Sequence, residues 1–267
     1  MGTLTARVLP LALVGGRRSR FLVERNIRVS RRIWLILASG FFEPVLFLLA
    51  IGVGVGGLVG GIEVAGQTVP YDHFVAPAML AASAMNGAVY ESTGNVFFKL
   101  KYARTYEGVL ATPLGPGDVA LAEIAWALLR GAAYAAAFTI VMAALGLTDS
   151  PWAILLPLAA LLVGFAFAGA GMVATTFMRS WSDFDLIQLA VLPLFLFSAT
   201  FVPLDAYPAG IQWIVEITPL YQGVAILRGL SLGDVGPALV GHAAYLAVMG
   251  LVGLAVAGRR VAKLLQP

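Results

Sequence analysis

The strongest constraint on this chain is its repeated apolar run. Stretches such as "IWLILASGFFEPVLFLLAIGVGVGG" (33–57) and "PWAILLPLAALLVGFAFAGAGMVATTFM" (151–178) hold almost no charge. Each exceeds the roughly 18 residues at which an apolar segment reads as a membrane span. Composition points the same way: 60% of residues are hydrophobic and 12% charged, where a soluble domain carries about 25% charged. The fold class expected is therefore an all-α integral membrane protein, a single domain over 1–267, with six transmembrane helices near 33–57, 73–98, 118–146, 151–178, 184–204 and 236–258. The segment "LDAYPAGIQWIVEITPLYQGVAILRGLSLGD" (204–234) is divided by Pro208 and Pro219 into halves too short to span. It predicts a re-entrant helical hairpin over 205–230, dipping in from one face and packed against protein.

Charge orients the spans. Arg7, Arg17, Arg18, Arg20, Arg25, Arg28, Arg31 and Arg32 precede the first span, and Lys99, Lys101 and Arg104 follow the second. Arg130 lies in the third, Arg179 follows the fourth, and Arg259, Arg260 and Lys263 follow the sixth; of the 17 basic residues only Arg228 falls on the other side. The opposite loops hold Glu63, Asp72, Asp149, Asp205, Glu216 and Asp234. By the positive-inside rule both termini are cytoplasmic in a multi-pass plasma-membrane protein. The excess of +3 is thus a topology signal, and no nucleic-acid partner is expected. The early apolar stretch "LPLALVGG" (9–16) is short and precedes its basic cluster, unlike a signal peptide.

Absences exclude whole classes of chemistry. With no cysteine there is no disulfide, thiolate metal site or cysteine nucleophile, and His73 and His242 are far apart in sequence. No G-x-x-x-x-G-K-[ST], G-x-S-x-G, H-E-x-x-H or dinucleotide fingerprint occurs. The chain is expected to be non-catalytic, with no metal or cofactor of its own. Intramembrane acids are too sparse for a proton relay, and no internal repeat suggests a secondary carrier.

Several stretches could carry function. Residues 17–32 form a basic amphipathic helix, with Val23, Ile27 and Trp34 on one stripe and Arg17, Arg20, Arg25, Arg28, Arg31 and Arg32 available to anionic lipid or to topology determination alone. Residues 101–111 form a short polar helix that the Pro113 to Gly117 turn ends. Tyr102, Tyr106 and Val109 or Leu110 recur at i, i+4 and i+7/i+8, while Lys101, Arg104 and Glu107 lie elsewhere. Such a helix can dock in a partner's groove or rest on the membrane. Glu43, before Pro44 in the first span, could line a polar conduit or cap a kink. Asn86, Tyr90 and Glu91 could face an interior path or bond to neighbouring helices. The pairs Gly52/Gly56, Gly56/Gly60 and Gly57/Gly61 permit close helix approach within or between subunits. Arg228 is expected to pair with Glu216 or Asp234. Tyr71, Trp152, Tyr207 and Trp213 suit an outer aromatic belt.

Four stretches together resemble a known family: "EPVLFLLAIGVGVGGLVG" (43–60), "YDHFVAPAMLAASAMNGAVYES" (71–92), "RTYEGVLATPLGPGDVALAEIAWALLRG" (104–131) and "FSATFVPLDAYPAGIQWIVEITPLYQGVAILRG" (197–229). They are similar to the ABC-2 type permeases of ATP-driven exporters, and within them to those of lipooligosaccharide nodulation-factor and daunorubicin-type drug export. One departure is Gln222, where many relatives carry His. The resemblance implies a permease dimer, homodimeric or heterodimeric, carrying two separate ATPase subunits that bind the ATP and Mg. It implies an interfacial helix over 17–32 beside the ATPase, and a coupling helix over 101–111 seated in an ATPase groove. The docking residues would be Lys101, Tyr102, Arg104, Thr105, Tyr106, Glu107 and Gly108, and the conduit candidates Glu43, Asn86 and Tyr90. A membrane-embedded lipid-modifying enzyme using Asp183, Asp185 and Arg179, or a passive channel or scaffold, is the alternative reading.

Overall fold

The computed structural model describes residues 18–30, 45–64 and 67–265. Arg17, Arg31, Arg32 and Glu43, with the first part of the predicted first span, lie outside the described residues. The N-terminal helix α1 (Ser19–Ser30) turns Leu22 and Asn26 inward, one turn apart. Val23 and Ile27 flank them half-buried, and Arg20, Glu24 and Arg28 face out. Glu24 and Arg28 form an i,i+4 pair at 3.6 Å. This amphipathic side lies against α5, described below.

The described end of the predicted first span runs through π-helical turns (Leu48–Val55) into α2 (Gly56–Val59). Gly60 stops it at φ 74°, a conformation suited to glycine. Gly52 and Gly56 pack on Tyr71 and Asp72 of the same chain, whereas Gly57 and Gly60 face open space. The all-α expectation needs one correction here. Strands β1 (Gly61–Val64) and β2 (Gln67–Pro70) pair antiparallel, Ile62 opposite Val69 and Glu63 opposite Thr68. Ile62, Val64 and Val69 lean on the core while Glu63 and Thr68 point away, the period-2 alternation of a half-covered hairpin.

Helix α3 (Tyr71–Tyr90) continues through π-helical turns at Glu91–Asn95 and Phe98–Tyr102. Then come the short α4 (Thr105–Leu110), α5 (Pro116–Ala144), α6 (Leu156–Thr175, entered by a 3-10 turn at Pro151–Leu155), α7 (Asp183–Leu196), α8 (Ala209–Ile217), α9 (Pro219–Leu232) and α10 (Ala238–Leu265). Among the described residues three helices are long and apolar enough to cross a membrane: Pro116–Ala144, Pro151–Thr175 and Ala238–Leu264. The expected fifth span is shorter than the sequence suggests. Helix α7 covers 14 residues, about 21 Å, against a hydrocarbon layer of about 30 Å. Pro193 weakens its last turn, and Phe197 to Val202 bend irregularly, with Ala199 at φ 53°.

Helix α6 is the centre of the bundle. Its most apolar window is 56% buried, against 22% for α5 and α10, and α10, α5, α3 and α9 all pack on it. Two glycine contacts set the spacing. A side chain at Gly253 of α10 would meet the Gly169 backbone of α6 at 2.6 Å, and one at Gly171 would meet Ser92 Oγ at 2.1 Å. Thr175 Oγ1 donates to Ser92 O at 2.7 Å across that second contact. Close approach of small residues replaces the hydrophobic drive that lipid removes.

Candidate functional site

The candidate site is the corner where α3 ends, α4 begins and α5 starts back. The break between Ala103 and Thr105 comes from Arg104, whose φ of 46° puts a non-glycine residue in the left-handed region. Lys101 and Tyr102 therefore end the preceding π-helical turns, and α4 begins at Thr105 rather than at 101. The tyrosine stripe read from spacing is broken by this turn. Tyr102 is 60% exposed, while Tyr106 is only 2% exposed and points into the chain. Lys101, Arg104, Glu107 and Gly108 are exposed, and Thr105 is half-buried. The Arg104–Glu107 pair at 3.8 Å lies open to solvent and contributes little. On the far side Gly115 N–H donates to Asp118 Oδ2 at 3.0 Å, which starts α5 after Pro113. Arg18 of the N-terminal segment donates to Pro113 O at 2.7 Å.

Beneath α4 lies Glu123, buried in the second turn of α5. Its Oε2 receives Lys99 Nζ at 2.7 Å and Asn26 Nδ2 at 3.3 Å. One carboxylate thus joins α1, the end of α3 and α5. The Tyr106 hydroxyl comes from α4 toward the same carboxylate. Burial raises the phenol pKa well above 10, Glu123 raises it further, and Arg25 opposes both. Glu123 acts on the Tyr106 hydroxyl both by its charge and through a side-chain contact whose geometry falls short of a well-formed hydrogen bond. Between α1 and α4 runs a groove of about 560 Å³, lined by Phe21, Leu22, Arg25, Arg104, Thr105 and Gly108 among others.

A second polar group lies deeper. Arg130 of α5 forms an ion pair with Glu91, which sits in the π-helical turn after α3. Asn95 donates to Glu91 Oε2 at 2.8 Å, and Arg130 donates to Tyr134 OH at 3.0 Å. Of the two readings left open for Glu91, the structure thus has the helix-bonding one. Asn86 and Tyr90 stay exposed on the other side of α3. Tyr90 meets Phe184 edge-on, and Phe184 stacks on Trp181, which adjoins Phe97 and Tyr102.

Arg228 corrects the sequence expectation. It donates to Phe74 O at 3.2 Å and Ala199 O at 2.8 Å and lies 3.6 Å over the Phe74 ring, in place of pairing with Glu216 or Asp234. The Ala199 carbonyl in the bend after α7 and the Phe74 carbonyl of α3 take up the charge. Gln222 bonds His242 Nδ1 at 2.5 Å and donates to Glu216 O. Of the acidic pair after α6, Asp183 is occupied locally: its Oδ2 accepts from the backbone N–H groups of Arg179 at 2.6 Å and Ser180 at 3.2 Å. No cluster of three His, Asp or Glu able to hold a metal forms among the described residues.

Sequence reading missed Asn26 and Glu123. Both carried a signal: each is a polar residue in an otherwise apolar inner stripe, where burial demands a partner.

The family model described as ABC-2 type transporter matches residues 18–232, which include every element of this corner. The chain belongs to the ABC-2 type transporter family. Among curated relatives of this ABC-2 protein, Nodulation protein J of Rhizobium leguminosarum bv. trifolii is 35% identical over 83% of this chain and 84% of its own length. Nodulation protein J of Rhizobium meliloti is 30% identical over 79% and 80%. That of Neorhizobium galegae is 27% identical over 98% and 99%.

Proposed function

We propose that this chain is the transmembrane permease subunit of an ATP-driven exporter. The observation that carries the reading is α4 itself. It is a six-residue helix set between a left-handed residue and a proline turn, with Arg104, Glu107 and Gly108 exposed beside a groove and one side chain anchored inside. With no phosphate-binding loop in the chain, energy enters from separate ATPase subunits, which hold the ATP and Mg. Lys101, Tyr102, Arg104, Thr105, Glu107 and Gly108 present the docking face, and Arg20, Arg25 and Arg28 of α1 border it at the lipid headgroups. The complex holds two permease copies and two ATPases in a bacterial plasma membrane. Each permease has six spans, cytoplasmic termini and an outer re-entrant hairpin formed by α8 and α9. The conduit runs between the copies, where the exposed Asn86 and Tyr90 of α3 give polar lining, with Glu43 toward its cytoplasmic end. Its lightly charged wall suits a lipid-linked saccharide, glycolipid or hydrophobic drug, in keeping with the similarity to proteins named for nodulation.

The test is co-expression with an ATPase encoded beside it. Inverted vesicles holding both should take up a fluorescent lipid-linked oligosaccharide, or daunorubicin, only while ATP is hydrolysed. Thr105→Pro, or Arg104→Glu combined with Glu107→Arg, should abolish ATPase capture and uptake together. Capture and uptake at wild-type level in both variants would sink the docking assignment.

A further inference from the structure

Away from the α4 corner, three elements bring polar and aromatic side chains to one place, the turn between α8 and α9 against the start of α10. Gln222 Nε2 donates to Glu216 O, and Gln222 Oε1 lies 2.5 Å from His242 Nδ1. A carbonyl only accepts, so the amide nitrogen faces Glu216 and the amide oxygen faces the imidazole. His242 therefore donates from Nδ1, and in the neutral ring Nε2 is left as an acceptor. Tyr221 stands edge-on to His242 with ring centroids 6.2 Å apart. Tyr245, one turn along α10, is 38% exposed and donates to Ile217 O at 3.0 Å. The Glu216 carboxylate is exposed and acts electrostatically on both Tyr221 and His242. Among the described residues no hydrogen bond or ion pair reaches its oxygens or His242 Nε2.

The open polar groups are acceptors, and the rings beside them are partly uncovered. A ligand that suits them donates several hydrogen bonds and offers C–H surface to the aromatic faces, whose partial charge is negative. A sugar ring does both. A simple cation would meet Glu216 and leave the imidazole and the rings unused. We propose that Glu216, Tyr221, His242 and Tyr245 form a saccharide-binding site at the hairpin, which receives the sugar portion of the cargo. The Glu216 carboxylate and His242 Nε2 accept from sugar hydroxyls. Gln222 is a positioning residue that holds the imidazole in the accepting tautomer. The site's place on an export path rests on the exporter reading above, to which it adds the saccharide as the part of the cargo that the chain recognises.

The test is equilibrium binding to the purified full chain in phosphatidylcholine nanodiscs, without ATPase or nucleotide. The probe is a fluorescent lipid-linked oligosaccharide, and the same lipid without its sugar is the reference. The wild type should bind the sugar-bearing probe about tenfold more tightly than the reference, and the free oligosaccharide should compete. Glu216→Gln leaves the backbone carbonyl that Gln222 uses. It should weaken binding of the sugar-bearing probe about tenfold, the worth of one hydrogen bond to a charged group. Its melting temperature and its binding of the sugar-free lipid should be unchanged. His242→Leu should lose affinity similarly. His242→Gln can still donate to Gln222 and accept from the sugar, and should bind within about threefold of wild type. Wild-type affinity in either Glu216→Gln or His242→Leu would overturn the proposal. So would a lowered melting temperature in Glu216→Gln, or an equal loss for the sugar-free lipid, since these describe a purely structural clamp on the hairpin. ATP-driven uptake without any sugar preference in binding overturns the site and spares the exporter reading. Sugar-dependent binding without ATP-driven uptake does the reverse.

Discussion

Arg130 and Glu91 show what a single intramembrane charge demands of its neighbours. Neither is tolerable alone in an apolar bundle, and each is placed so that the other neutralises it: their side chains are 20% and 6% exposed. Removing one partner leaves an uncompensated buried charge, so Arg130→Met should destabilise the protein by about 3–5 kcal/mol, while adding Glu91→Gln should regain most of the loss. Thermal unfolding of the purified protein in detergent checks both. Additive losses in the double variant would refute the pairing. Arg228 solves the same problem differently, by donating to carbonyls at Phe74 and Ala199 and lying over a ring. Its sequence neighbourhood offered acids, and only the fold brought the Phe74 and Ala199 carbonyls to it.

Among elements, the contact between α6 and α10 depends on the absence of side chains. Gly253 and Gly169 bring two backbones within reach, and Gly250 receives the Phe165 ring beside them. Gly253→Leu should therefore force the helices apart and lower the melting temperature by an amount equivalent to about 1–3 kcal/mol or more. Gly241→Leu on the same helix, where nothing lies within 4 Å, should leave the melting temperature unchanged. The sequence flagged glycines in the first span, because they cluster there. The glycines at the densest contact are spread over two helices distant in sequence, and a one-chain periodicity cannot reveal such a pair.

On the scale of the whole molecule, the exposed apolar surface defines what is missing around it. Leu186, Leu189, Leu192 and Leu196 line one face of α7 and are all exposed, while Ile187, Val191 and Leu194 lean on the core. Beside them the exposed Tyr90 meets Phe184. In the proposed permease pair this face would meet its counterpart. Because the chain has no cysteine, single introduced cysteines report cleanly. Leu189→Cys should give a disulfide-linked dimer in membranes, and Val240→Cys, on the opposite helix α10, should remain monomeric. In the same background Glu107→Cys should react with an impermeant maleimide only in inverted vesicles, and Glu63→Cys only from the outer side. Dimer formation at Val240 alone, or labelling of Glu107 from outside, would reverse the proposed arrangement.

Hydropathy and charge along the chain were enough for the membrane class, the three long helices, the amphipathic α1 and the divided segment at Pro219. These depend on local composition and on proline and glycine geometry, which each stretch carries within itself. Tertiary structure decided the rest. It turned Tyr106 inward through the left-handed Arg104, shortened α7, added a β-hairpin after Gly60 and brought Asn26, Lys99, Tyr106 and Glu123 to one point. Those residues belong to four elements separated by up to about a hundred positions. Their meeting is set by helix packing, because a buried carboxylate takes whichever donors the bundle delivers to it.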